Sequence, residues 1–134
     1  MQSKAKTVAD VIAGALAVFG PNGENWNNYT IYDPEKDTYC SLGAIGRAAM
    51  GHNDYSRTPL EQEAADLVMS CTPKRYHRYG EEGDDIPDWN DSLPSGKQGF
   101  RSIKSVFCKA LKKAIAQEQP AKRKAVVKKG KKRA

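Results

Sequence analysis

The sequence predicts a mainly α-helical domain over residues 1–118, compact, with four helices and a small β-hairpin, followed by a disordered Lys/Arg-rich tail over residues 119–134. Three observations carry that prediction. Apolar residues recur at helical spacing in the first and last long segments. Helix-start and helix-stop residues bracket the segments between them. Charge is divided sharply between body and tail: eight of the 22 Lys and Arg lie in 119–134, which has no acid, so the other 14 meet all 16 Asp and Glu and the body carries about −2 against an overall +6.

Val8, Val11, Ile12, Ala15, Leu16 and Phe19 fall on one face of a helix over residues 8–19. Thr7 and Asp10 form a capping-box pair before it, and Gly20-Pro21 stops it. The stretch GPNGENWNN is loop chemistry, with Trp26 its one residue large enough to anchor it. Tyr29 and Ile31 alternate with polar neighbours, Asp33-Pro34 marks a turn, and Tyr39 lies on the return, which gives the hairpin. Residues 40–51, CSLGAIGRAAMG, read as a second helix with a surface of small residues. Each internal glycine there costs up to about 1 kcal/mol of helix stability, so close packing against another helix is expected in compensation. Thr58-Pro59-Leu60-Glu61 combines a cap, a first-turn proline and a capping-box acid. The third helix then turns Leu60, Ala64, Leu67, Val68 and Cys71 inward and ends before Pro73. Residues 73–95 read as polar loop, with the cluster KRYHRYG, the acidic run EEGDD and IPDWND. The fourth helix sets Phe100, Ile103, Val106, Phe107, Ala110, Leu111, Ala114 and Ile115 inward, and Arg101, Lys104, Lys109, Lys112 and Lys113 outward.

Cys40, Cys71 and Cys108 are an odd number without a C-x-x-C pair, which argues against a disulfide framework or a ribbon-type zinc site and for reduced thiols in a cytoplasm. The polar start of the chain and the short apolar stretch after it, interrupted by Asp10, make neither a secretory signal nor a membrane span. No cofactor, metal or membrane partner is expected. A site made of Cys40, His52, Cys71 and His77 has irregular spacing for zinc.

The tail cations Lys122, Arg123, Lys124, Lys128, Lys129, Lys131, Lys132 and Arg133 suit the phosphates of nucleic acid, or another polyanion, without regard to sequence. A weaker candidate surface is Lys74, Arg75, Tyr76, Arg78 and Tyr79, where cations alternate with rings as on single-strand binding surfaces. Glu81, Glu82, Asp84 and Asp85 follow directly and oppose it. Cys40, at a predicted helix start where the dipole lowers a thiol pKa, is a candidate nucleophile with His52 or His77 as base; a buried packing residue explains it more simply.

Trp26, the Cys-x-x-Gly-Ala start of Cys40, Leu42, Gly43 and Ala44, and Trp89-Asn90-Asp91 occur in an order that resembles an uncharacterised family of small bacterial and phage domains with the pattern W…CLLGAL…WND. The resemblance spans about residues 8–116 and departs at Ser41, where the family pattern has an apolar residue. It implies no activity. The leading expectation is a non-enzymatic binding module of phage or bacterial origin that holds nucleic acid through its tail and a host or phage protein through its body. Two rivals are a cysteine-dependent hydrolase or transferase built on Cys40, and a protein-binding inhibitor that presents the acidic 81–91 loop as a decoy.

Overall fold

In the computed structural model, which describes residues 7–77 and 86–118, Thr7 and Asp10 cap each other as their spacing predicts. The Thr7 hydroxyl accepts from the Asp10 N–H at 3.1 Å, and the Asp10 carboxylate accepts from the Thr7 N–H at 3.3 Å. Helix α1 (Val8–Phe19) follows and stops at Gly20, whose φ of +87° suits a residue without a β-carbon. Val11, Ile12, Ala15 and Phe19 are fully buried. Helix α1 is the centre of the molecule and packs against three other helices. Its Phe19 ring meets Phe100 and Phe107 edge-on at 5.5 and 5.4 Å between centroids.

The hairpin is present but shorter than the alternation implies. Strands β1 (Tyr32–Asp33) and β2 (Thr38–Tyr39) pair antiparallel, Tyr32 opposite Tyr39. Tyr29 and Thr30 stay outside the strand because the Asn27 side-chain oxygen accepts both of their backbone N–H groups at 2.9 Å, which folds 27–30 into an Asx-type turn.

Helix α2 (Ser41–Met50) ends at Gly51 in the left-handed region, φ +77°. Its small residues do receive close neighbours, but at the two critical positions these are loop backbone, not a helix. A β-carbon on Gly43 would overlap the Ile31 carbonyl oxygen, and one on Gly46 would overlap that of Asp54. Against α1 the close approach is Gly14 on Ala48.

Helix α3 (Pro59–Ser70) starts with the predicted Thr58/Glu61 capping box. Its inward face is rotated from the predicted one. Glu61, Ala64, Ala65, Val68 and Met69 are fully buried, while Leu60, Leu67 and Cys71 are half-buried. The capping Glu61 draws the rotation: its carboxylate accepts from the N–H groups of Ser56 at 3.0 Å and Thr58 at 2.8 Å and from the Thr58 hydroxyl at 2.7 Å. A buried carboxylate needs such donors, and satisfying them turns Glu61 toward the 51–58 loop and the core.

A 3-10 turn (Lys74–Tyr76) follows α3. Part of the segment read as loop is helical: α4 (Ile86–Ser92) buries Ile86, Trp89 and Asn90 and leaves Asp88 and Asp91 exposed. Seven residues are too few for a periodic pattern to show in the sequence. The architecture is thus five α-helices with the small hairpin among the described residues. The last helix, α5 (Gly96–Glu118), begins three residues ahead of its predicted start and buries Phe100, Ile103, Val106, Phe107, Ala110 and Ala114. Its final residue is tied back to the first helix, the Glu118 carboxylate accepting the Ala9 N–H at 2.8 Å. Among the described residues no helix is long and apolar enough to cross a membrane.

Candidate functional site

Two places bring together residues singled out in the sequence, and they have different chemistry. The first is a buried node on Asn90, which is 0% exposed. Its side-chain oxygen accepts from the Trp26 indole N–H at 2.9 Å, from the Ser41 N–H at 3.0 Å and from the Ser41 hydroxyl at 2.7 Å. Its amide nitrogen donates to the Asn27 carbonyl at 3.2 Å and to the Asp91 carboxylate at 3.1 Å. Trp26, the start of α2 and the Trp-Asn-Asp segment of α4 are therefore one connected structure. Cys40 occupies the cap position of α2 without a side-chain cap bond, and Asn90 accepts the N–H of the first helical residue, Ser41, one of the helix-start donors that has no partner within the helix. The node has every partner inside the protein, so its role is to hold three segments in place. Ser41 contributes its hydroxyl as well as its N–H to the node.

Cys40 lies in this dry region. Burial pushes its thiol up from 9.0 to about 11, outweighing the N–H groups of Gly43 and Leu42 at the helix start, which act the other way. At neutral pH it is a thiol, not the thiolate that a nucleophile or metal ligand requires. No hydrogen bond among the described residues joins it to a histidine. His52 is exposed, and the His77 Nε2 shares a hydrogen bond with the Thr72 hydroxyl at 3.0 Å. Among the described residues no group of three or more His, Cys, Asp or Glu is placed to hold a metal ion.

The second place is a groove of about 590 Å³ between the end of α3 with its 3-10 turn and the flank of α5. Lys74 and Arg75 stand on one wall, Arg101 and Lys109 on the other, with the hydroxyls of Ser102 and Ser105 between the last two. Among the described residues no carboxylate lines it. Its apolar floor comes mainly from Leu93, which is half-buried, since Val106 and Trp89, also in the lining, are only 7% and 1% exposed. Tyr76 closes the upper wall. The Arg75 guanidinium lies 4.9 Å from its ring centroid, and its hydroxyl shares a hydrogen bond with Ser92 at 2.9 Å. The Ser92 hydroxyl first, then Arg75, hold the Tyr76 phenol below its usual pKa range. Ser92 is itself anchored, donating to the Trp89 carbonyl at 2.8 Å.

Of the predicted cationic-aromatic cluster, Lys74, Arg75 and Tyr76 line this groove; Arg78 and Tyr79 lie outside the described residues, as do Glu81, Glu82, Asp84, Asp85 and the eight cations of 119–134. The opposite wall was not singled out in the sequence. Its signal was the i, i+4 spacing of Arg101, Ser105 and Lys109, which puts them on one flank of a helix, hidden within a general alternation of lysines. In the acidic segment proposed as a decoy loop, residues 86–91 are helical, not loop.

A family model described as a family of unknown function (DUF6197) matches residues 3–98. The match contains the Asn90 node and the Lys74–Tyr76 wall and stops before Arg101. No curated protein and no solved structure matches the chain.

Proposed function

Because the chain belongs to that family, whose description assigns no activity, we propose a function from the site's own chemistry: a non-enzymatic module that holds a polyanion, nucleic acid foremost, with the cations of residues 119–134 and the groove of the folded body acting together. The observation that carries this reading is the groove. A body with a charge of about −2 brings Lys74, Arg75, Arg101 and Lys109 around one concavity, and among the described residues no carboxylate lines it. Walls of low dielectric around like charges focus their potential outward, which favours a multiply charged anion. The Ser102 and Ser105 hydroxyls are suited to phosphate oxygens, which accept from such groups.

An enzyme built on Cys40 is disfavoured by the same physical reasoning, since the thiol is buried and held protonated.

The test is retention of labelled DNA by three full-length chains: unaltered, with the eight tail cations replaced by glutamine, and with Arg101→Gln and Lys109→Gln. Each altered chain should retain less than the unaltered one at low salt. Retention by neither altered nor unaltered chain would end the reading.

A further inference from the structure

We infer that the groove takes one unpaired nucleic-acid strand, its phosphates along α5 and a base against the Arg75–Tyr76 stack; this rests on the polyanion reading above and narrows it to a substrate class. Cations alone do not discriminate duplex from single strand. Two other features of the groove do, and a third separates a strand from a mononucleotide.

The floor is the first. Leu93 and the Tyr76 ring, with the small exposed part of Val106, put apolar surface between the cationic residues. A duplex keeps its bases stacked inside and offers a protein groove mainly sugar and phosphate, so an apolar floor between cations finds nothing to cover. An unpaired strand carries phosphates and exposed base faces side by side, the same alternation that the groove shows.

The stack is the second. Arg75 already lies over the Tyr76 ring at 4.9 Å, and the Ser92 hydrogen bond anchors the hydroxyl end of that ring. An exposed guanidinium held over an aromatic ring offers a cationic surface on which a base stacks whatever its identity.

The flank of α5 is the third. At about 1.5 Å of rise per residue, Arg101, Ser105 and Lys109 succeed one another roughly every 6 Å, close to the step between successive phosphates on a strand. All three are exposed, and so is Lys112 on the same flank, beyond the groove's lining. The groove itself has room for about one or two nucleotides. The cationic line past its end is of use to a strand and of none to a mononucleotide.

The test uses the full-length chain with its eight tail cations replaced by glutamine, so that the groove is read without the tail. Fluorescence anisotropy follows a labelled oligothymidylate and a hairpin duplex with the same number of phosphates, and thymidine monophosphate serves as competitor. The single strand should bind about tenfold tighter than the duplex, and the monophosphate should compete only at far higher phosphate concentration. Within the same chain, Arg101→Gln with Lys109→Gln should weaken strand binding by about tenfold, and Arg75→Gln should erase the preference for the strand. Those positions are exposed, and an unchanged circular dichroism spectrum checks that the fold is kept. Equal affinity for duplex and strand, both lost on Arg101→Gln with Lys109→Gln, would overturn this inference and leave the polyanion reading standing. Monophosphate competing as well as the strand, or no binding by the tail-neutralised chain, would overturn it too. Absence of binding by the unaltered chain sinks both.

Discussion

Asn90 joins three separate segments of the fold through one buried side chain. Replacing it with alanine leaves the Trp26 indole N–H, the Ser41 N–H and the Ser41 hydroxyl without their shared acceptor in a region that water does not reach. Each buried donor without a partner costs about 1–3 kcal/mol, and the three are not additive because relaxation serves them together. Asn90→Ala should lower stability by about 3 kcal/mol in urea denaturation, against about 1 kcal/mol for Ser41→Ala, which keeps the oxygen and its two other donors. Equal losses for the two would mean that the indole and backbone bonds contribute nothing. Cys40 makes a second prediction at this scale. With its pKa raised from 9.0 to about 11 by burial, it should react with iodoacetamide at neutral pH more slowly than a free cysteine. The sign for stability follows from the same shift. The folded state holds the thiol proton more tightly than the unfolded state, so the contribution is fully present below pH 9 and is lost as pH rises toward 11. Stability should fall by about 2–3 kcal/mol across that window, and less in Cys40→Ala.

Helix α2 shows how an element that looks weak on propensity is stabilised by its surroundings. Gly46→Ala would gain about 1 kcal/mol of helix propensity in isolation. Here the new β-carbon would overlap the Asp54 carbonyl oxygen, and backbone in a clamped loop cannot step aside as a flexible side chain can. Glu61 clamps that loop through Ser56 and Thr58. Overpacking of this kind costs about 1–3 kcal/mol or more, so the net change in thermal or urea denaturation should be destabilising, by about 1–2 kcal/mol. A stabilised variant would show that the loop moves freely. Helix α5 is the opposite case. Most of its inward face was legible from spacing alone, because 23 residues repeat the period many times over, but near its end Leu111 is half-buried and Ile115 is exposed, not inward as predicted.

Across the whole molecule, the charge split has a quantitative consequence for salt. If all eight tail cations engage, the slope of log affinity on log salt approaches about −7 on duplex DNA and about −6 on single strands. The groove with its four cations contributes at most about −3 on a single strand. Replacing the tail cations with glutamine should therefore flatten the measured slope by more than half without abolishing it. A slope that does not change on neutralising the tail would remove residues 119–134 from the binding surface.

What the sequence by itself determined is what neighbours along the chain decide: the period of α1 and α5, the capping boxes at Thr7 and Thr58, the turn between the strands, and membership of an uncharacterised family over residues 3–98. These depend on residues three or four apart, and a one-dimensional string records them. What only the tertiary structure decided lies between residues far apart. Asn90 meets Trp26 across 64 positions and Ser41 across 49; Glu61 is turned inward by a loop's N–H groups; and the walls of the groove come from Lys74–Tyr76 and from Arg101–Lys109, held apart by α4. No periodicity encodes those meetings. They follow from chain closure around the α1 core, where each buried polar group takes the partner that packing brings within reach.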